Sequence, residues 1–363
     1  WAMARIEKKV WPIEIKKYID HALNFNSEEM RLRELAISEV PDGAIDMHAH
    51  MGPASYSAGI DPVFLSRLVS IYPYFSYEDH LRVRSALWNN RKDVRQVVFT
   101  FPFRGIDFRA GNQYILEICT KDEAFIPFLT GDPYDNGYTL SQLDNPNWRG
   151  LKMYSKLMWE EVHRIVDFFP EPVLEKANDL RLPITLHLPH NLMRDVNELV
   201  DLARRYENMT FLIAHFGIAR GNREEINRAI AMTEDYPNIV YETSFYVLSE
   251  VISEALRRVG PQRIVYGSDR PLDLVRAKFI FDRNRNGVER LITDYPYHWV
   301  NKKEQDSLHT GIVVDPSEIP NIHFTSLFAL LDVIKEVYPN SQEQLSVKQT
   351  IFVDNPSRIL KLQ

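Results

Sequence analysis

The chain has 363 residues, of which 45% are hydrophobic and 26% charged, with a formal net charge of -7. Those proportions belong to a globular protein able to bury a large core, which excludes a disordered chain, and an acidic balance without any long basic run excludes an electrostatic footprint for nucleic acid. No apolar stretch reaches the roughly 18 residues of a membrane span, and the single cysteine, Cys119, cannot form an internal disulfide, so a cytoplasmic compartment is expected.

Residues 1–43 form an N-terminal extension, in which 5–40 read as helical: charged residues alternate with Ile, Leu and Ala at helical spacing, and "PDG" closes the segment. From residue 44 the pattern changes to short apolar runs separated by longer amphipathic stretches. "AIDMHAH" (44–50), "VRQVVFTFP" (94–102), "FIPFLTGDP" (125–133), "RGLKMY" (149–154), "PITLHLP" (183–189), "MTFLIAHFG" (209–217), "NIVYETSF" (238–245) and "RIVYGSD" (263–269) are eight candidate strands. Stretches such as "NELVDLARRYE" and "REEINRAIAMTEDY" between them read as helices, and Cys119 reads as a buried thiol on one of these. Eight strands alternating with helices, at about 30 residues per unit, predict a (β/α)8 TIM barrel over 44–281. Residues 282–325, rich in Asn, Asp, Pro and aromatics, are too long for a simple connection and read as an insertion or lid; 326–363 return as helices that complete the barrel domain.

The candidate chemistry lies at the strand ends. In a parallel barrel the C-terminal ends of the strands converge on one mouth. His48 and His50 close the first run and, because strand side chains alternate, project together while Ala49 points away. Lys152 lies near the end of the fourth run, His187 ends the fifth, His215 the sixth and Asp269 the eighth. Imidazoles and a carboxylate gathered at one mouth are the donor set of a divalent metal, zinc first, with Mn2+ or Fe2+ compatible. Arg104 and Arg270 could grip an anionic substrate, and Tyr154 and His190 are placed to line the pocket, as are the aromatics Tyr134, Phe216, Phe245 and Tyr246. His298, His309 and His323 fall in the insertion without ligand-like spacing and are expected in surface or lid packing.

The motifs "IDMHAH", "RGLKMY", "PITLHL", "MTFLIAHFG", "VYGSDRP" and "DNPSRIL" together resemble the amidohydrolase superfamily, in particular its amidohydrolase-related branch of metal-dependent hydrolases and decarboxylases. The resemblance spans about residues 44–273 and 352–360. It implies that His48, His50, His187 and Asp269 bind the metal, that His215 stands near the bound water or in a second metal position, and that Asp269 shuttles the proton. Lys152 separates two versions of the site. It is either a carbamate bridging two metals or a cation holding a substrate carboxylate, and the mostly one-metal character of the branch favours the cation and one metal per chain. The implied activity is hydrolysis of a C–N or C–O bond in a small polar molecule (amide, cyclic amide or lactone), with non-oxidative decarboxylation of an aromatic or unsaturated acid as the alternative. A catalytically silent metal-binding scaffold acting through the insertion is the competing class, and the complete ligand and proton-shuttle set argues against it. A homodimer is one expected assembly, because the N-terminal helix and the insertion add apolar surface.

Overall fold

The computed structural model describes residues 18–57, 59, 74–101, 105–154, 162–282, 288–293 and 319–362. Eight parallel strands, β1 (Ile45–His50), β2 (Arg95–Phe99), β3 (Phe125–Thr130), β4 (Gly150–Tyr154), β5 (Ile184–His187), β6 (Phe211–Ile213), β7 (Ile239–Glu242) and β8 (Ile264–Val265), follow one another in the sheet in chain order. The residues after β8 bring the sheet round to β1: Met47 N–H donates to the Tyr266 carbonyl at 2.9 Å, Asp269 N–H to that of His48 at 2.9 Å and His50 N–H to that of Arg270 at 2.7 Å. The fold is a nearly closed (β/α)8 TIM barrel. β6 and β8 are shorter than the apolar runs that encode them, because the backbone leaves the ladder early to build the mouth.

The strands are buried on both faces, which is why they read as apolar runs without a polar side. One cluster fills the barrel, with Met47, Val97, Phe99, Ile126, Phe128, Leu212, Val240 and Val265 in it, and Ile359 and Leu360 join it from the C-terminal helix. The larger cluster lies between strands and helices. α1 (Ser27–Glu39) starts with a capping box between Asn26 and Glu29, and α2 (Tyr77–Leu87) with one between Ser76 and Asp79. Along α3 (Leu192–Arg205), Leu192, Val196, Leu199 and Leu202 recur at three- and four-residue spacing and bury one stripe against the sheet.

In β1 the pairing register with β2 shifts between Asp46 and Ala49. Met47 lies in the inner cluster and Ala49 in the outer one, so the shift lets His48 and His50 follow Met47 into the interior. Asp46 meanwhile anchors the strand's outer side, accepting from Gln96 Nε2 at 2.9 Å, Ser268 N–H at 2.8 Å and Ser268 Oγ at 2.6 Å.

The N-terminal extension is locked to the barrel by a buried ion pair. Arg276 donates to both carboxylate oxygens of Glu29, at 2.8 and 2.6 Å, and Asn321 N–H donates to Glu29 at 2.9 Å. Arg276 and Asn321 bridge each other, so Glu29 holds both ends of the excursion between them. That excursion departs from the expected boundaries: an antiparallel hairpin, β9 (Ala277–Asp282) with β10 (Val288–Thr293), opens it before residue 282, and α4 (Ile322–Val337) begins ahead of 326. The rest of the insertion, with His298 and His309, lies outside the described residues. Among the described residues no helix is long and apolar enough to cross a membrane.

Candidate metal centre

The strand ends deliver the donors to one place. One ligand atom each from His48, His215 and Asp269 lie within 4.8 Å of one another, and all three residues are buried. His48 Nε2 is 3.2 Å and His50 Nε2 3.4 Å from the same oxygen, Asp269 Oδ1. His187 reaches the group through ring contact, its centroid 5.3 Å from that of His215, and Tyr154 packs on it at 4.2 Å. The tightest group among the described residues thus contains His215, which the sequence places at the edge of the ligand set, with His50 and His187 beside it.

Backbone geometry explains that grouping. β6 ends at Ile213, and His215, Phe216, Gly217 and Ile218 then run through left-handed conformation, with φ of 56, 50, 64 and 53°. Asp269 is left-handed as well, at φ 65°. Non-glycine residues rarely adopt such φ values, least of all a β-branched isoleucine, and each costs roughly 1–3 kcal/mol and persists only where its surroundings impose it. Here the imposed turns swing His215 and Asp269 over the barrel axis instead of continuing the strands.

Glu242, at the end of β7, holds the donors in register. This fully buried carboxylate accepts from His48 Nδ1 at 2.9 Å, from Ser244 Oγ at 2.6 Å, from His215 N–H at 3.4 Å and from Ser244 N–H in a very short bond. With Nδ1–H spent on Glu242, His48 turns Nε2 to the centre. His215 Nδ1 faces the Ser244 carbonyl at 2.9 Å, so its Nε2 carries the lone pair. Gly267 is required beside them, since a Cβ there would overlap Glu242 Oε1. The sequence signal for Glu242 is an acid near the end of the apolar run "NIVYETSF", as His50 and His187 end theirs.

Electrostatics suit a cation. Burial lowers the His50 and His215 pKa values to about 4, so both imidazoles are neutral near pH 7. Burial also opposes ionisation of Asp269, yet His215 and His48, with the bonds from His48 and His50, hold its carboxyl well below the usual range. Burial and the Lys152 ammonium press the His48 pKa down, and the Glu242 and Asp269 carboxylates overcome them and raise it. Burial brings Lys152 down to about 7 against the pull of the two carboxylates. Lys152 Nζ lies 3.2 Å from His48 Nε2 and 4.5 Å from the Phe99 ring centroid. The neutral imidazoles of His50 and His215 with the ionised Asp269 carboxylate, and the Glu242 carboxylate behind His48, are the donor chemistry that divalent zinc takes, so the residues fit the group.

Other expected residues have other occupations. Arg270 does not face a ligand: its guanidinium is buried and donates to Asp273 Oδ2 at 2.6 Å and Oδ1 at 3.3 Å, because alternation past Asp269 turns it away from the mouth. His323 is not at the surface, being fully buried with Nδ1 3.1 Å from Asp273. His190 is spent on the first turn of α3, its Nδ1 2.9 Å from Asp195. Phe216 stacks with Tyr241 and with Tyr246 in the outer core, and Tyr134 is exposed. The rings that do flank the donors are Phe99, 5.0 Å from His48, and Phe101, stacked on His50 at 5.4 Å. Arg104 lies outside the described residues. Cys119 is largely buried, which raises its thiol pKa.

The fold is shared with solved enzymes of low sequence identity. An amidohydrolase from Burkholderia multivorans with bound zinc matches at TM-score 0.54 and 13% identity, covering 88% of this chain and 99% of its own. A probable 2-pyrone-4,6-dicarboxylic acid hydrolase from Acinetobacter baumannii, with citric acid bound, matches at 0.51 and 12%, covering 88% and 100%. A 2,6-dihydroxybenzoate decarboxylase in complex with 2,6-dihydroxybenzoate matches at 0.50 and 12%, covering 89% and 100%. No curated protein matches the chain by sequence. The sequence model of the amidohydrolase family, whose members are enzymes, matches residues 45–362, and the chain belongs to that family.

Proposed function

We propose that the protein is a metal-dependent hydrolase that cleaves an amide, cyclic amide or lactone bond in a small polar molecule. The observation that supports this reading is the convergence of His48, His215 and Asp269 within 4.8 Å, with Asp269 kept ionised in a buried site. These three would hold one divalent ion, zinc by preference, with His50 and His187 at its side. When bound, such an ion polarises a carbonyl and lowers the pKa of its water to roughly 7. Asp269 takes the proton of the attacking water and returns it to the departing nitrogen or oxygen. His50, with Nε2 3.4 Å from Asp269 Oδ1, keeps that carboxylate aimed. Lys152, as an ammonium packed on Phe99, holds a substrate carboxylate beside the reacting bond.

A second reading, decarboxylation of an aromatic acid, is favoured by the rings around the donors: Phe99, Phe101 and Tyr154 would sandwich a flat substrate, with Lys152 as counter-ion. The two structural neighbours named for their reactions include one of each kind, so chemistry must decide. Purified enzyme is incubated with lactones, cyclic amides and aromatic acids while ring opening and carbon dioxide are followed; carbon dioxide release without hydrolysis overturns the first reading. Asp269→Asn is expected to lower turnover by roughly 10²–10⁴-fold, the usual contribution of a positioned acid–base group. Turnover within a few-fold of the parent overturns the proton-transfer role.

A further inference from the structure

At the end of the barrel opposite the metal centre, where the chain enters β4 and β5, there is a cavity of about 200 Å³. Its floor is apolar, with Leu143, Trp148 and Ile359 among its lining, and its rim carries Arg149, Arg181 and Lys361. No acidic side chain lines it. Arg149 and Arg181 have no carboxylate partner among the described residues, and Lys361 Nζ donates only to the Leu180 carbonyl, at 2.9 Å, which fixes the ammonium at the rim. Arg181 and Lys361 both have left-handed backbone, φ 54° each, so the turns that place them are imposed by the surrounding structure. The three charges are close enough to repel: burial, then Arg181 and Arg149, depress the Lys361 pKa. Trp148 is 2% exposed, and its Nε1–H is a buried donor with no acceptor.

Each of these features is unfavourable in an empty cavity. The like charges, exposed at the rim, repel weakly through solvent, and a buried N–H without an acceptor forfeits its hydrogen bond to water. An acidic protein, at net charge -7, has many carboxylates available to pair with these cations, yet none lines this cavity. Both features are relieved together by one kind of ligand. We propose that this cavity is a second binding site, distinct from the metal centre, for a small organic anion: a carboxylate on a single ring or short apolar chain. The carboxylate lies among Arg149, Arg181 and Lys361 and accepts from the Trp148 indole N–H, and the apolar body lies over Leu143 and Ile359. The volume equals about six or seven waters at roughly 30 Å³ each, which admits one ring. Guanidinium groups suit a carboxylate because of their planar fork.

The probe is benzoate, with benzamide as the neutral isostere and inorganic phosphate as an anion lacking an apolar body. The Trp148 indole N–H resonance, identified by its loss in Trp148→Phe, reports the cavity alone, since Trp148 precedes β4 at the end remote from Lys152 and the histidines. A saturable shift of that resonance is expected with benzoate, at most a small one with benzamide, and a weaker one with phosphate. The triple variant Arg149→Gln, Arg181→Gln, Lys361→Gln is expected to weaken benzoate at least tenfold with its melting temperature within about 2 °C, as exposed side chains allow. An indole resonance unmoved by benzoate, or equal affinity in the triple variant, overturns the site. A phosphate response as strong as that to benzoate overturns its apolar half.

Discussion

Replacing Glu242 by glutamine tests whether the carboxylate behind His48 organises the metal centre. The change preserves volume and removes the charge. Glu242 now accepts four hydrogen bonds, from His48 Nδ1, Ser244 Oγ, Ser244 N–H and His215 N–H. A carboxamide has one acceptor oxygen and one NH2, so whichever way it turns, its NH2 faces donors and at least one of the four bonds becomes a donor–donor contact. His48 loses the anion that fixes its tautomer and raises its basicity, and loss of such a partner typically costs 10–100-fold in metal affinity, about 1.4–2.8 kcal/mol. Zinc affinity, measured at neutral pH by competition with a chromogenic chelator, is therefore expected to fall by that factor. Circular dichroism before titration separates this loss from unfolding. Ser244→Ala leaves the carboxylate on His48 and is expected to lose less than tenfold. A Glu242→Gln protein that binds zinc within twofold of the parent would refute the reasoning.

Glu29→Ala removes the carboxylate that the buried Arg276 guanidinium and Asn321 N–H share and loosens both ends of the inserted excursion, so a loss of about 3–5 kcal/mol in denaturant unfolding is expected; a change under 1 kcal/mol would show that the extension does not brace the barrel. Asp93 accepts from Arg91 at 2.7 Å and from Gly43 N–H at 2.8 Å, and Arg91, the main cause, lowers its pKa from 3.8 to about 2. A folded value below the unfolded one means that this contribution is complete above about pH 4 and is lost as the pH falls through 2. Asp93→Asn should therefore flatten the acid limb of the stability profile between those values, and an unchanged limb would remove Asp93 from its causes.

Much of the barrel is legible in the chain because a strand covered on both faces must be apolar throughout, and eight such runs at regular spacing leave few alternatives. His48, His50, His187 and Asp269 are legible for a related reason: a polar residue that ends a buried run has the mouth as its natural destination. Glu242 obeys the same rule in "NIVYETSF" and was open to the same argument. Arg270 shows the limit of adjacency. It follows Asp269 directly, yet its guanidinium is taken by Asp273 on the far side of the backbone.

Periodicity and residue type, both local properties of the chain, suffice for the number and order of the strands and for the polar residues at their ends. The register shift in β1, the left-handed turns at His215 and Asp269, the Glu29–Arg276 clamp and the unbalanced cations beneath the barrel arise only when segments far apart in the chain meet. Their energies lie in contacts made across the closed sheet: a strained φ is held by its neighbours, and a buried charge is stable only beside a partner that folding brings to it.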